Sequence, residues 1–303
     1  MKNILVIGGT GFLGSAIVRE LARRPVSADF TFTLPTRRRE KARHLLVLPT
    51  VRVVDADVHD PATLARLMVG QDAVISLVGV LKGGEGEPYG MGFARAHVEL
   101  PKKIVVAAKA AGVQRVLHVS ALKAAANAPS GYLRSKAAGE AVLQDAGLDL
   151  TLFRPSVIFG PGDAFLTLFA QLATIAPVFP LAGADARFQP VWVEDVVAAV
   201  ADSLLRAESI GCAYDLCGPK QYSLRQLVSY AAAASGHPRP VIGLPDFIGW
   251  LQAWAMEFIP NGPMTRDNIR SMRVASVCDA GCALPFGRIA TPLEVIAPTY
   301  LRG

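Results

Sequence analysis

The chain has 303 residues, of which 51% are hydrophobic and 18% are charged, with 27 glycines and 21 prolines. This length suits one large or two small domains, and the composition is typical of a globular α/β protein and excludes a disordered one. The formal net charge is +6, but eight basic and only three acidic residues lie between Arg19 and Arg43. The excess charge is therefore local, which argues against a nucleic-acid-binding protein and predicts a site for a local anion.

Apolar runs alternate with helical patterns through the first half of the chain. Strands are predicted at 3–8, 30–36, 51–57, 72–79, 113–121 and 148–155. Helical segments are predicted between them, at 11–24, 38–46, 60–70 and 91–112 and around 130–140. Strands separated by helices indicate a parallel sheet with helices on both faces, and the strands are nearly continuous in Val, Ile and Leu. We therefore expect an α/β protein with a Rossmann-type doubly wound sheet and a smaller C-terminal substrate lobe.

After Pro155 the pattern loosens into Gly/Pro turns and scattered helical stretches. We predict a dinucleotide-binding Rossmann domain over residues 1–155, to which the chain returns around 188–217. The remaining segments, 156–187 and 218–303, are predicted to form the small lobe that contacts a substrate or a partner.

A glycine-rich segment, GGTGFLG, follows the first predicted strand and begins the first helix. Gly8, Gly11 and Gly14 satisfy GxxGxxG, and Gly9 gives a GxGxxG reading as well. Such glycines permit a tight turn, close approach of the backbone to a pyrophosphate, and close packing of helix on strand, while the helix N-terminus attracts phosphate. The segment predicts a dinucleotide site formed by Gly8, Gly9, Thr10, Gly11, Phe12, Leu13 and Gly14.

The end of the second strand predicts which coenzyme is preferred. NAD sites usually place a carboxylate here for the ribose hydroxyls, but no carboxylate precedes Glu40, and Arg37 and Arg38 stand in its place. Because guanidinium groups suit a 2′-phosphate, we expect NADP(H) rather than NAD(H). The next two strands end in further residues expected beside the bound cofactor, namely Asp57, Val58, Leu77, Val78 and Gly79.

Tyr132 lies four residues before Lys136 on one face of the helix around 130–140. A free tyrosine is a poor base at neutral pH, but a nearby ammonium favours the phenolate, so we expect Lys136 to lower the pKa of Tyr132. Tyr132 could then transfer a proton while nicotinamide exchanges hydride with a carbon atom. Ser120 ends the fifth strand, where ligands bind in open α/β sheets, and could hold the substrate oxygen. These three residues are the predicted catalytic set.

The motifs GGTGFLG, HVSA and YLRSK resemble those of the short-chain dehydrogenase/reductase superfamily. LFRPSVIFGPGD and FQPVWVEDVVAAV extend the resemblance over nearly the whole chain, into the extended or atypical branch that includes NAD-dependent epimerases and dehydratases. The resemblance implies that Tyr132 and Lys136 are the catalytic pair, that the lysine also contacts the nicotinamide ribose, and that Ser120 assists. It further implies cofactor contacts from Val119, Pro155, Ser156, Val157 and Ile158.

Within that branch, a nucleotide-sugar epimerase or dehydratase is the less favoured subgroup. The segment between Ser120 and Tyr132 is short, and His97 stands where the long helix usually carries Asn. The sequence looks more similar to the subgroup that contains the NADPH-binding accessory subunit of mitochondrial complex I, with bacterial relatives linked to quinone biosynthesis. Two functions stay open: an oxidoreductase acting on an apolar carbonyl, alcohol or quinone-like substrate, and a non-catalytic, nucleotide-holding accessory or assembly protein.

Residues 244–260 form the most apolar stretch, which carries Asp246 and Glu257 and is shorter than a membrane span. It either packs on its own lobe or lies on a membrane or a respiratory-complex partner. With no secretory signal recognised, we expect a cytoplasmic protein, at most peripheral to the inner face of the membrane. The spacing of the cysteines fits structural zinc poorly, so free thiols and no metal are expected at Cys212, Cys217, Cys278 and Cys282.

Overall fold

The computed structural model describes residues 2–25, 29–259, 262–279 and 283–302. The strands are β1 (Lys2–Ile7), β2 (Phe30–Thr36), β3 (Val51–Asp55), β4 (Ala73–Ser76), β5 (Arg115–Val119), β6 (Asp149–Pro155), β7 (Ile158–Phe159), β8 (Phe179–Leu181), β9 (Arg187–Phe188), β10 (Val191–Trp192), β11 (Ala213–Leu216), β12 (Tyr222–Ser223) and β13 (Val241–Gly243).

The α-helices are α1 (Phe12–Arg23), α2 (Pro61–Met68), α3 (Met91–Phe93), α4 (Leu100–Ala111), α5 (Gly131–Gln144), α6 (Leu166–Ile175), α7 (Val193–Leu205), α8 (Leu224–Ala234), α9 (Asp246–Glu257), α10 (Arg266–Ser271), α11 (Leu293–Ile296) and α12 (Pro298–Leu301). Short 3-10 helices cover Arg39–Leu45, Ala207–Ser209 and Pro285–Gly287, and a π-helix, Ala94–Glu99, joins α3 to α4.

Seven strands form the central sheet in the order β11-β6-β5-β4-β1-β2-β3, and every neighbouring pair is parallel. The order reverses between β1 and β4, which is where ligands bind in sheets of this kind. The predicted Rossmann-type α/β fold is confirmed, and the six strands expected from the sequence all lie in this sheet. The seventh, β11, comes from the segment predicted to return to the sheet.

Both faces of the sheet are buried, as the strand composition predicts. Ile4 and Val6 pack on one face with residues of α1 and α7, while Leu5 and Ile7 pack on the other with residues of α2 and α4. Side chains of a strand alternate between faces, so each apolar run supplies two cores at once. Helix α2 begins as predicted, because the Asp60 side chain accepts a hydrogen bond from Thr63 N at 2.9 Å and Pro61 follows it.

A second apolar cluster lies outside the sheet. It is built on α6 and α8 together with β8, and includes Phe159, Leu227 and Leu301. Small two-stranded pairings, β13 with β8 and β12 with β9, connect the segments of this cluster. It is the physical core of the predicted C-terminal lobe, whose boundaries stay a prediction.

The expectation of four free thiols is wrong for two of them. Cys217, directly after β11, forms a disulfide with Cys278, and both residues are buried beside Leu122. Cys212 is a free cysteine, and Cys282 lies outside the described residues. The two bonded cysteines are 61 residues apart in the sequence, so spacing along the chain gave no signal of their proximity.

Candidate active site

The glycine-rich turn between β1 and α1 is built by packing as well as by backbone conformation. Gly8 has φ of +86°, in the left-handed region that favours glycine. A Cβ atom at Gly14 would lie 2.4 Å from the Gly8 carbonyl oxygen and 2.6 Å from Gly9 Cα, so α1 could not approach the turn with any other residue there. The turn also rests against the end of β4, since a Cβ at Gly8 would lie 3.3 Å from Leu77 Cβ.

The N-terminus of α1 is open to a ligand. Gly11 occupies its N-cap position, and among the described residues no side chain caps it and no carboxylate lies in its first turn. A cleft of about 540 Å³ opens here, lined by Thr10, Gly11 and Phe12 and, farther along α1, by charged side chains that include Arg19 and Glu20. Free N–H groups and the positive helix end fit a pyrophosphate, so the geometry suits the predicted dinucleotide site.

The ends of β2 and β3 bring the predicted adenosine-binding residues together. Thr36 is paired with Asp55, and Thr36 O accepts a hydrogen bond from Ala56 N at 3.0 Å, so Arg37 and Asp57 follow from adjacent strand ends. Arg37 and Arg38 are exposed. Burial lowers the pKa of His59, and Arg95, whose guanidinium lies 3.7 Å from the Asp57 carboxylate at this end of the sheet, lowers it further.

Most apolar residues of the predicted cofactor set are partly buried against the cores. These are Phe12, Leu13, Leu77, Val58, Val78, Val157 and Ile158. Pro155 is buried at the end of β6, and its carbonyl oxygen accepts from Leu122 N at 3.0 Å. The Ser156 hydroxyl donates to Ser276 O at 2.7 Å, so it ties the strand end to a later segment. Contacts of these residues with a nucleotide stay a prediction.

Lys136 is in α5 and is buried, with 3% of its surface exposed; its side chain reaches the carboxyl end of β5. Its Nζ donates to Val119 O at 2.9 Å, and a Cβ placed on Gly79 would lie 3.9 Å from that nitrogen. Burial lowers the pKa of Lys136 to about 8, and the nearby Glu140 opposes that shift. The lysine therefore joins the ends of β4 and β5, two of the places where the sequence predicts cofactor contacts.

Tyr132 lies one helical turn before Lys136, as predicted, but its pKa moves in the opposite direction from the expectation. Burial alone raises the pKa of Tyr132 to about 12, and Lys136 contributes no resolved effect. The expected lowering of this pKa is therefore wrong: the lysine ammonium is engaged by Val119 O, and the phenol is held in an apolar, aromatic environment. At neutral pH the phenol keeps its proton.

Ser120, at the end of β5, is buried with 4% of its surface exposed. Its Oγ has no hydrogen-bond partner among the residues that the structure describes. A buried hydroxyl without a partner carries a desolvation cost unless a ligand or water satisfies it. Ser120 therefore has an unused donor and acceptor on the strand that also anchors Lys136 through Val119.

His97 was not among the predicted site residues, and the structure places it at the centre of a directed hydrogen-bond chain. Val80 N donates to His97 Nε2 at 3.0 Å, so that nitrogen is the acceptor and Nδ1 carries the hydrogen. Nδ1 then donates to Ser135 Oγ at 2.8 Å, and that hydroxyl donates to Tyr132 O at 2.7 Å. Burial lowers the pKa of His97 to about 3, consistent with a neutral ring.

The same histidine belongs to an aromatic cluster that surrounds Tyr132. The rings of His97 and Tyr132 meet edge to face with centroids 5.6 Å apart, and the Phe93 ring lies 6.0 Å from that of Tyr132. His97 is in the π-helix, an irregularity often found at functional sites. No motif in the sequence signals that irregularity. The substitution of His for the usual Asn was the available clue.

Asp267, on α10, is the second residue that the sequence did not single out. Its carboxylate accepts hydrogen bonds from Gly131 N at 2.7 Å and Tyr132 N at 3.0 Å. It is separated from Tyr132 by 135 residues, so only the fold brings the two together. The N-terminus of the Tyr/Lys helix is thus bonded to the C-terminal part of the chain.

Helix α9 exposes an apolar surface rather than burying it. It packs on the lobe through small residues, Gly249 and Ala253, whereas Phe247 is 77% and Phe258 72% exposed. The surface, called the α9 surface below, consists of Phe247, Ile248, Trp250, Leu251, Trp254, Phe258 and Ile259. Contiguous exposed apolar patches of this kind are typical of interaction sites. Of the predicted stretch 244–260, residue 260 lies outside the described residues.

Comparison with known sequences identifies a family model and two relatives. The sequence model described as NAD(P)H-binding matches residues 8–162. The mitochondrial NADH dehydrogenase (ubiquinone) 1 alpha subcomplex subunit 9 of Rattus norvegicus is 30% identical over 98% of this chain and 79% of its own length. A ceramide reductase of Caulobacter vibrioides is 31% identical over 80% of this chain and 74% of its own length.

Comparison with solved structures supports the same architecture. An NADPH-dependent quinone oxidoreductase from Escherichia coli, solved with NADPH, superposes with a TM-score of 0.75 over 98% of this chain and 99% of its own. At 22% identity, this likeness establishes the fold. The predicted resemblance to short-chain reductases and to relatives of the respiratory accessory subunit is confirmed by these matches. No helix among the described residues is both long and apolar enough to cross a membrane.

Proposed function

This chain belongs to the NAD(P)H-binding family, and from that premise we propose that it is an NADP(H)-dependent reductase of the short-chain type. Its substrate would be an apolar carbonyl or quinone-like compound. The observation that carries the proposal is the buried, unpartnered Ser120 hydroxyl on the strand whose end anchors Lys136. When bound, the nicotinamide would supply the hydride. The predicted catalytic roles of Ser120, Tyr132 and Lys136 belong to this proposal.

The protonation states favour reduction over oxidation. With a pKa of about 12, Tyr132 is a phenol at neutral pH and can donate its proton to a substrate oxygen that gains negative charge. Ser120 Oγ would donate a hydrogen bond to the same oxygen and stabilise that charge. Lys136, with a pKa of about 8, is mainly an ammonium at neutral pH and can hold the ribose hydroxyls of the coenzyme. Each group thereby starts in the state that carbonyl reduction requires.

Two features support the substrate class and the coenzyme. Apolar side chains, among them Phe93, Ala128 and Leu133, pack near Tyr132, which suits an apolar ketone or quinone better than a sugar nucleotide. The name of the Caulobacter relative, a ceramide reductase, agrees with an apolar substrate. The exposed Arg37 and Arg38 beside the adenosine end support NADP(H) over NAD(H).

The test is NADPH oxidation with a panel of long-chain ketones and quinones. Tyr132→Phe is expected to lower kcat by about 100-fold or more, the usual range for a lost general acid, with NADPH affinity little changed. Tyr230→Phe, in α8, where the side chain packs on the second apolar cluster, is the matched control and should behave as the unchanged protein. If every substrate left bound NADPH unoxidised, the reductase proposal would be refuted.

A second candidate is a nucleotide-holding accessory protein, and the α9 surface is the observation that favours it. The named respiratory subunit of Rattus norvegicus agrees with such a role. In this candidate a cytoplasmic protein would lie peripherally on the inner face of the membrane, with the α9 surface against lipid or a respiratory partner. The chemistry of the nucleotide site would then be structural.

The two candidates make different predictions for the α9 surface. Phe247→Glu with Phe258→Glu should abolish flotation on liposomes and co-purification with respiratory subunits, while NADPH binding is kept. The control is Ile289→Glu, which makes the same kind of apolar-to-acidic change at a residue that is 91% exposed and lies outside the α9 surface. If the double variant were distributed between membrane and supernatant as the unchanged protein is, the proposed contact of the α9 surface would be refuted.

A further inference from the structure

The first turn of α5 is held by a residue from the far end of the chain. Asp267 Oδ1 accepts from Gly131 N at 2.7 Å, and Oδ2 accepts from Tyr132 N at 3.0 Å. Asp267 is 6% exposed, so both bonds lie away from bulk water. A buried carboxylate that accepts backbone N–H groups at a helix N-terminus makes strong, charge-assisted bonds and interacts favourably with the helix dipole.

Asp267 completes a helix end that the local sequence leaves open. The first four N–H groups of a helix lack partners within it. The side chain of the N-cap residue Ser130 accepts from Leu133 N at 3.2 Å, and its carbonyl oxygen accepts the first bond within the helix, from Arg134 N at 3.1 Å. Gly131 and Tyr132, the first two residues of α5, have no acceptor within the helix for their N–H groups, and Asp267 accepts from both. The residue that would be catalytic is thus fixed through its own backbone nitrogen by the C-terminal lobe.

The position of Asp267 is itself set by α9. Helix α10 begins with a capping box between Thr265 and Asn268. Arg266, the first residue of α10, donates to both carboxylate oxygens of Glu257 on α9, at 3.1 and 2.9 Å. Its guanidinium also lies 5.3 Å from the centre of the Trp250 ring. A continuous set of contacts therefore runs from the α9 surface through Arg266 to Asp267 and Tyr132.

We infer that Asp267 is a positioning residue that sets the place of Tyr132 and couples it to the α9 surface. The inference rests on the proposed function, since it concerns the tyrosine assigned to proton transfer. A small displacement of that hydroxyl from the substrate oxygen slows the chemical step while leaving the nucleotide turn between β1 and α1 untouched. Loss of the Asp267 carboxylate should accordingly affect turnover and not coenzyme binding.

The experiment compares Asp267→Asn and Asp267→Ala with Asp195→Asn in the full chain. Asp195 accepts from Thr291 N at 2.7 Å and Thr291 Oγ1 at 3.1 Å, so its variant loses similar bonds away from α5. For Asp267→Asn we expect kcat to fall about tenfold, and for Asp267→Ala about 100-fold, with the Kd for NADPH within twofold. Glu257→Gln, which leaves Asp267 intact, should give a smaller fall in the same direction.

Backbone hydrogen exchange separates this inference from the proposed function. The amides of Gly131 and Tyr132 should exchange at least tenfold faster in both Asp267 variants, and those at the C-terminal end of α5 should be unchanged. If no substrate is turned over, faster exchange would still support the positioning role. The inference is overturned if exchange at these amides stays at its original rate, or if Asp195→Asn lowers kcat as much as Asp267→Asn does.

Discussion

At the scale of single residues, burial decides the charge state of the groups proposed to act. Lys136 has a pKa of about 8 because burial disfavours its ammonium form more than Glu140 favours it. As pH rises through 8, the lysine loses its charge and with it the proposed hold on the ribose. We therefore expect NADPH affinity, measured by fluorescence titration between pH 6.5 and 9.5, to weaken above about pH 8.

Lys136→Arg and Lys136→Met test whether the loss of NADPH affinity above pH 8 comes from the lysine. The guanidinium does not titrate in this range, so a folded Arg variant should bind with an affinity that is flat above pH 8. The Met variant should bind weakly at every pH. A wild-type affinity that did not change from pH 7 to 9.5 would contradict the assigned role of the ammonium.

Because its folded-state pKa is low, we expect His97 to contribute to the free energy of unfolding at neutral pH and to lose that contribution in acid. Its pKa is lowered to about 3 in the fold, against 6.5 in the unfolded chain, so the folded state disfavours the proton. The contribution is complete above pH 6.5 and is lost as pH falls towards 3, at about 1.4 kcal/mol per pH unit. Between pH 7 and pH 5, urea unfolding should thus show about 2 kcal/mol lost through His97.

His97→Gln isolates this effect, since an amide can accept from Val80 N and donate to Ser135 Oγ without titrating. Its free energy of unfolding should fall by about 2 kcal/mol less than that of the unchanged protein over the same pH step. Equal losses in the two proteins would show that the ring does not resist protonation in the fold.

Arg37 carries the prediction of coenzyme preference. If its guanidinium meets the 2′-phosphate, Arg37→Gln should weaken NADPH binding by about tenfold or more, the usual loss for a charge-assisted hydrogen bond, and leave NADH binding unchanged. Arg39→Gln, at the start of the 3-10 helix, is the control. Isothermal titration with both coenzymes checks the pair, and parallel losses for NADPH and NADH would argue against phosphate recognition by Arg37.

At the scale of elements, the contact between the π-helix and α5 depends on one glycine. A Cβ at Gly139 would lie 2.0 Å from His97 O, a backbone atom that cannot move aside cheaply. Alanine would raise helix propensity by about 1 kcal/mol, but the clash outweighs that gain. We expect Gly139→Ala to lower the free energy of unfolding by about 1–3 kcal/mol, measured by urea denaturation.

Ala138→Gly, one position earlier in α5, gives the scale for this measurement. It removes helix propensity without adding an atom, so it should cost about 1 kcal/mol. If Gly139→Ala instead stabilised the protein, that result would contradict the close approach of the π-helix to α5.

The same elements show what the sequence could and could not predict. The strands could be located from the sequence, because a strand that is buried on both faces is apolar at nearly every position. The glycines also located the nucleotide turn, since Gly8 has a positive φ and Gly14 has no room for a Cβ atom. The π-helix around His97, in contrast, depends on a partner helix that is distant in sequence, and no local pattern encodes it.

The site shows the same limit. Tyr132, Lys136 and Ser120 were predicted from their spacing, but the direction of the Tyr132 pKa shift was not, because it depends on how completely the fold buries the phenol. Asp267 could not be found either, since its role arises only when α10 reaches the start of α5. Residues that act across elements are the part of a site that a single sequence hides.

At the scale of the whole molecule, the Cys217–Cys278 disulfide closes the segment that contains α8, α9 and α10. One end of this segment follows β11. The other runs beside β9, where Ser276 bridges Phe188 and Cys278 N donates to Gln189 Oε1 at 2.9 Å. The Gln189 amide also donates to Gly218 O at 2.7 Å, so a hydrogen-bonded link and a covalent link join the same two segments.

The covalent link should therefore add stability without being needed for the fold. Closing a loop across a 61-residue separation removes unfolded-state entropy worth about 4 kcal/mol in the chain-entropy treatment. Cys217→Ser with Cys278→Ser should fold, bind NADPH and unfold at lower urea concentration, as should the unchanged protein after reduction by a dithiol. Cys212→Ser, which leaves the disulfide intact, should match the oxidised protein. If reduction left the unfolding midpoint of the unchanged protein where it was, the disulfide would contribute nothing to its stability, and the noncovalent contacts, among them those of Gln189, would suffice.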